Sequence, residues 1–186
     1  MMAMPSGKHG RLREIVRAKS YIQGDVVLAS GERSTYYFDM KPTMFDPEGA
    51  DLLADLLMER IAGVACDLVG GLEMGAVPLI SPINALSFRK GRPIAGFFVR
   101  KQPKGHGTKK RIEGVADVTG KAVVIVEDVT TTGGSAMKAV DELREAGATI
   151  SLVISILDRE QGAAGLYKGA GIPFDSLFTA SEIIGK

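Results

Sequence analysis

Residues Val123 to Ser135 read VVIVEDVTTTGGS. The opening run of β-branched residues has the composition of a strand covered on both faces, as strands inside parallel sheets are. It ends in two adjacent carboxylates, Glu127 and Asp128, followed by Val129, three threonines and two glycines. Directly after Ser135 the pattern AMKAVDELREAG places Ala136, Met137, Ala139, Val140, Leu143 and Ala146 on one helical face, with Gly147 as the stop. Strand, polar glycine-rich turn and helix in that order are the first part of a βαβ unit.

The flanking segments repeat the alternation. ISLVISILD follows as a strand, and CDLVGG and IAGFFVR precede as two more. Between those two, the reading places a helix beginning at Ser81, with Pro82 in its first turn. Asp46 stands where an N-cap belongs and Pro47 suits the first helical position. From there Leu52, Leu53, Leu56, Leu57 and Ile61 form an apolar face closed by Gly63. Nearer the N-terminus, Leu12, Ile15 and Val16 mark a short helix over Arg11–Ser20, after a frayed residues 1–10 in which His9 reads as surface. VVLAS and STYYFDMK then form a hairpin. The expected architecture is α/β: an open, mostly parallel twisted sheet flanked by helices, carrying a small N-terminal hood from residues 1–45. At 186 residues a single domain spanning 1–186 is expected.

Composition removes several classes of function. Lys plus Arg total 23 and Asp plus Glu 22, a net charge of +1, so no general basic field exists for wrapping a polyanion. The single cysteine, Cys66, excludes an intrachain disulfide and a Cys/His zinc cluster, and fits a reducing, cytoplasmic setting. No apolar run approaches the ~18–20 residues of a membrane span, and the start lacks the apolar core of a signal peptide, so a soluble, unexported protein is expected.

In open α/β sheets ligands gather beyond the carboxyl ends of strands. The turn after Asp128 suits a phosphate: glycines allow close backbone approach, the N–H groups and dipole of the following helix favour an anion, and hydroxyls add donors. Glu127 and Asp128 would repel that phosphate and suit instead a ribose diol or a metal-bound, positively polarised sugar. Together they describe a sugar phosphate. The bland alternative is a capping turn with two rim carboxylates. No G-x-x-x-x-G-K-[ST] and no G-x-G-x-x-G is present, which sets aside nucleoside triphosphate and dinucleotide loops.

Two further segments carry charge. VRKQPKGHGTKKRIEG, residues 99–114, gathers Arg100, Lys101, Lys104, His106, Lys109, Lys110 and Arg111 around glycines. Such a loop is suited to closing over a pyrophosphate leaving group, or is simply a solvated basic loop. In SILDREQG, Arg159 follows a strand end, where its planar fork suits a carboxylate; the alternative is a surface ion pair with Asp158 or Glu160.

VVIVEDVTTTGGS resembles the phosphoribosyl-diphosphate motif of the type I phosphoribosyltransferases, and the order R-K-x-x-K-x-H-G from Arg100 resembles the loop of the orotate phosphoribosyltransferases. The resemblance implies transfer of ribose 5-phosphate from phosphoribosyl diphosphate to orotate, with Mg²⁺ held mainly through the diphosphate and water and no dedicated metal site. It implies that Thr130, Thr131, Thr132, Gly133, Gly134 and Ser135 hold the 5′-phosphate, with Val129 beside them, and that Glu127 and Asp128 hold the ribose. It further implies a homodimer in which Arg100, Lys104 and His106 act in the neighbouring subunit's site and Lys101 in its own. Arg159, Thr131 and the hood aromatics Tyr36, Tyr37 and Phe38 would face the base; the hood aromatics read equally as core. A purine or other pyrimidine phosphoribosyltransferase is the runner-up, and a phosphoribosyl-diphosphate-sensing regulator lacks a separate basic surface here. Ala29 and Gly75 stand where some members of the family carry lysine.

Overall fold

The computed structural model describes residues 7–27, 33–102 and 111–185. Helix α1 (Lys8–Lys19) begins three residues before the expected start, so the segment ahead of Arg11 is not wholly frayed. Its first turn is tethered at the surface: His9 is exposed, as expected, yet its Nε2 lies 2.8 Å from the Leu177 carbonyl oxygen and its ring 4.5 Å from that of Phe178. Strands β1 (Tyr21–Val27) and β2 (Arg33–Phe38) pair antiparallel. β1 starts five residues before Val26 because Gly24 and Asp25, which look like strand breakers, fall in an irregularity between Gln23 and Val26. Ala29, in the expected strand VVLAS, lies outside the described residues.

After the short α2 (Lys41–Met44), helix α3 (Pro47–Ile61) begins as expected: the Asp46 carboxylate accepts from the Gly49 N–H at 2.9 Å. β3 (Leu68–Leu72) leads to α4 (Val77–Arg89), which is continuous through Pro82 and corrects the expected start at Ser81. An internal proline costs about 3 kcal/mol. Burial of Leu79, Ile80, Ile83 and Leu86 offsets it, at ~1.5–3 kcal/mol for each large apolar side chain removed from water. β4 (Ala95–Val99) is followed by the two-residue β5 (Ile112–Glu113), too short to be read from periodicity. The chain continues through β6 (Ala122–Thr130), α5 (Gly134–Glu145), β7 (Thr149–Asp158), α6 (Ala163–Gly169), β8 (Phe174–Thr179) and α7 (Ala180–Ile184).

The six-stranded sheet has the order β5-β4-β3-β6-β7-β8, parallel except for the edge strand β5. One face packs on α1, α3, α4 and the hood through residues such as Leu57, Ile61, Ile83, Val124 and Ile154. The other packs on α5 and α6 through Ile125, Val140, Leu143, Val153 and Tyr167. β3 connects outward to β4 and β6 outward to β7, so the strand order reverses direction between β3 and β6. In open sheets such a reversal leaves a crevice at the strands' carboxyl ends, because the two connections diverge to opposite sides. Among the described residues no helix is long and apolar enough to cross a membrane.

Candidate active site

A cavity of about 290 Å³ opens at that reversal, lined by Leu72–Gly75 and Pro78 after β3, Glu127–Val129 of β6, Ser135 of α5, Lys101 after β4, and Lys41, Met44 and Phe45 of α2 and its end. A larger cavity of about 360 Å³ lies between the β5 region and Glu142–Ala146 of α5. It lies beside the stem of the basic segment, since Arg111 in its wall pairs with Glu142 and donates to the Lys101 carbonyl, but its lining shares no residue with the crevice.

β6 carries both acids. Glu127 is half-buried and accepts a hydrogen bond from the Thr130 hydroxyl at 2.8 Å. Burial pushes its carboxyl up to about 7, the Asp128 charge adds to the rise, and the Thr130 hydrogen bond and Lys101 pull the other way. Asp128, its neighbour on the strand, projects to the opposite side of the sheet. There it meets the turn after β3: a Cβ added to Gly75 would lie 2.4 Å from Asp128 Oδ1. Glycine at position 75 is thus what leaves room for this carboxylate.

The turn after β6 leaves backbone N–H groups open at the start of α5. Gly133 has φ 85°, a left-handed conformation that glycine adopts without steric cost, and it caps α5 with no side-chain cap hydrogen bond. The first N–H groups of a helix lack intrahelical partners, so they remain available to a ligand at this end. Thr132, Gly134 and Ser135 are exposed, Thr131 is half-buried and Thr130 is buried with its hydroxyl turned back on Glu127.

The basic segment leaves the sheet from a closed stem. Phe98 pairs with Glu113 and Val99 with Ile112, the Arg100 N–H donates to the Arg111 carbonyl at 2.8 Å, and Arg111 also donates to the Lys101 carbonyl at 3.1 Å and pairs with Glu142. The Lys101 N–H donates to Glu73 at 2.9 Å, fastening the stem to the turn after β3. Lys101 lines the cavity and Arg100 is half-buried beside it. Lys104 and His106 lie outside the described residues.

Arg159 is 7% exposed. Asp158 is occupied by the Glu160 N–H at 2.8 Å, and Glu160 by the Ser181 N–H and hydroxyl, so the alternative of a surface ion pair with either acid does not hold. Its guanidinium carbon lies 5.1 Å from the centre of the Tyr36 ring, and its Nε is buried without a hydrogen-bond partner. An unpartnered cationic donor of this kind is a ready receptor for an anion. Tyr36 therefore faces Arg159; Phe38 is buried against Tyr36 and Tyr21; Tyr37, next along β2, is exposed. Arg159 and the hood aromatics do not line the crevice cavity itself, which gathers instead Lys41, Glu73 and Phe45, residues that the sequence reading did not select. Lys41 pairs with Asp39 at 2.7 Å, which raises its pKa, and a lysine two residues after a strand-end acid was the available signal.

Residues 45–170 match the family model described as the phosphoribosyl transferase domain. The chain is 56% identical over 182 residues, 96% of its length and 98% of the relative's, to an orotate phosphoribosyltransferase of Bradyrhizobium sp. (strain BTAi1 / ATCC BAA-1182). Its fold is similar to the Mycobacterium tuberculosis H37Rv orotate phosphoribosyltransferase in complex with 5-phospho-α-D-ribosyl 1-diphosphate, with a TM-score of 0.80, 32% identity, and coverage of 95% of this chain and 99% of that one. An adenine phosphoribosyltransferase from Thermoanaerobacter pseudethanolicus shares the fold at 19% identity and a TM-score of 0.68, over 90% of this chain and 99% of that one.

Proposed function

The chain belongs to the orotate phosphoribosyltransferases of the phosphoribosyl transferase family, and on that premise we propose that it joins orotate to 5-phosphoribosyl 1-diphosphate, giving orotidine 5′-phosphate and diphosphate in pyrimidine synthesis. The observation that carries the base assignment is Arg159: a buried guanidinium at a strand end, free of both neighbouring acids and with an unpartnered Nε. A purine offers it no carboxylate, and a buried donor left unpaired is costly.

The reaction is substitution at the anomeric carbon through a transition state of oxocarbenium character, in which positive charge grows on the ribose and negative charge on the departing diphosphate. In our reading the turn from Thr130 to Ser135 and the α5 N-terminus fix the 5′-phosphate, while Glu127 and Asp128 hold the ribose hydroxyls. Anchoring both ends of the sugar places the anomeric carbon and confines its motion. Lys101 stands over the leaving group from its own subunit, and Arg100, Lys104 and His106 reach the site of the partner in a homodimer. Their charges oppose those that develop on the diphosphate. Arg159 orients orotate by its carboxylate, with the hood aromatics Tyr36, Tyr37 and Phe38 bordering the base.

Among the described residues no group of three or more His, Cys, Asp or Glu side chains is arranged to hold a metal. The carboxylates of Glu73 and Asp128 at the cavity wall are hard oxygen donors that suit Mg²⁺, an ion that keeps much of its water and binds readily to phosphates. Bound with the diphosphate, Mg²⁺ would supply charge neutralisation of the leaving group. We place the enzyme, acting as one domain, in the cytoplasm; the lone Cys66, whose thiol burial pushes up to about 11, suits a reducing compartment.

Calorimetric titration with nucleotide products tests the base assignment without turnover. Orotidine 5′-phosphate should bind more tightly than adenosine or inosine 5′-monophosphate, and the reverse order would move the protein to the purine enzymes.

A further inference from the structure

Tyr167 is completely buried in α6, and nothing in the chemistry above uses it. A buried phenol needs a partner for its hydroxyl. This one donates to the Gly133 carbonyl at 3.3 Å; burial raises the phenol's pKa, and the charges of Glu127 and Asp158 add to the rise while Thr130 opposes it. The packing is as close as the hydrogen bond. A Cβ added to Gly133 would stand 3.0 Å from Tyr167 Cζ, 3.1 Å from the phenol oxygen and 3.1 Å from Leu166 Cδ2. The pair Leu166–Tyr167 therefore lies directly against the left-handed residue at which the chain turns from β6 into α5.

This position has a geometric consequence. Glycine is free to leave its conformation, and Gly133 joins the two parts of the site that must keep a fixed separation: the anion-binding helix start and the acid pair. Tyr167 touches the first directly at Gly133, and Thr130, where the same turn leaves β6, ties that turn to Glu127 of the second through its hydroxyl. We infer that Tyr167 is a positioning residue, which fixes the phosphate turn relative to the strand acids and so sets the affinity for the 5′-phosphate end of the substrate. The identity of that substrate rests on the function proposed above.

Tyr167→Phe keeps the ring and removes only the oxygen. It should raise KM for phosphoribosyl diphosphate about 3- to 10-fold, the range of one buried hydrogen bond, while KM for orotate moves less than about 2-fold. Inorganic phosphate serves as a probe that needs no turnover. It should raise the Tm of the wild-type protein, and raise that of Tyr167→Phe by clearly less at the same concentration. Tyr167→Leu, which also removes ring packing, should lose more of the phosphate effect than Tyr167→Phe. A lower Tm without phosphate, combined with an unchanged phosphate effect and an unchanged ratio of the two KM values in Tyr167→Phe, would reduce Tyr167 to a core residue and overturn the inference. So would a wild-type protein that phosphate fails to stabilise. Failure on orotate with the phosphate effect intact would strike the function and leave this inference standing.

Discussion

Replacing Gly75 by alanine separates activity from stability in a way the geometry makes quantitative. The added Cβ would stand 2.4 Å from Asp128 Oδ1, 2.8 Å from its Cγ and 3.2 Å from Oδ2. Real Cβ contacts are essentially never under 3.0 Å, so the carboxylate must move by about 0.6–1 Å. The backbone has no reason to object: Gly75 does not have a positive φ, and Gly→Ala at a compatible site gains ~0.4–1 kcal/mol through the unfolded chain. The aspartate side chain can swing into the adjoining cavity, so Tm should stay within about 4 °C of wild type. A displacement near 1 Å of a substrate-holding group costs up to ~10²-fold, so kcat/KM should fall about 10- to 100-fold, or ~1.4–2.7 kcal/mol. Steady-state kinetics on Gly75→Ala, Asp128→Ala and the double variant complete the cycle. Once Asp128 is gone, Gly75→Ala should cost less than about 2-fold, because the two changes act through one carboxylate. Full activity in Gly75→Ala, or additive losses in the double variant, would refute the reasoning.

Arg159→Ala should raise KM for orotate about 10- to 100-fold and that for phosphoribosyl diphosphate far less, and Arg159→Lys should recover little because it lacks the fork; equal effects on both substrates would remove Arg159 from the base site. Glu127 has its carboxyl raised from 4.5 to about 7, so the folded state holds a proton that the unfolded state has released. Its contribution is therefore complete below pH 4.5 and is lost as pH rises through about 7. Glu127→Gln should accordingly gain in Tm relative to wild type between pH 5 and pH 8, whereas a difference independent of pH would contradict the burial argument. Lys104→Ala should lower kcat ~10²–10³-fold. Mixing Arg100→Ala with Asp128→Ala protein should restore part of the activity through hybrid dimers; demonstrated exchange without recovery would place the loop in its own subunit's site.

The elements legible in the sequence are those with local causes. The acid pair, the glycine turn and α5 follow one another within a single stretch, and Asp46 with Pro47 announces α3 through capping chemistry alone. What escaped depends on tertiary partners. β5 is two residues that pair only because the stem of the basic segment closes. α4 persists through Pro82 because its far face is buried, and β1 extends through Gly24 because an irregularity absorbs it. The site shows the same division. Glu127 and Asp128 were readable as neighbours, but not that alternation sends one toward Thr130 and Tyr167 and the other against Gly75. Arg159 was visible as a cation after a strand; its freedom to receive an anion emerges only once Glu160 is seen engaged by Ser181, far along the chain. β8 and α7, which supply that engagement, were not resolved from the C-terminal pattern.

The central claim is the pairing of this sugar-phosphate site with an orotate-binding arginine, and turnover tests it most directly. Purified protein with Mg²⁺ and phosphoribosyl diphosphate should consume orotate, followed by its absorbance, and release diphosphate in equal amount, while adenine, hypoxanthine and uracil remain unchanged. Orotate left untouched under conditions in which one of the other bases is converted would contradict the account.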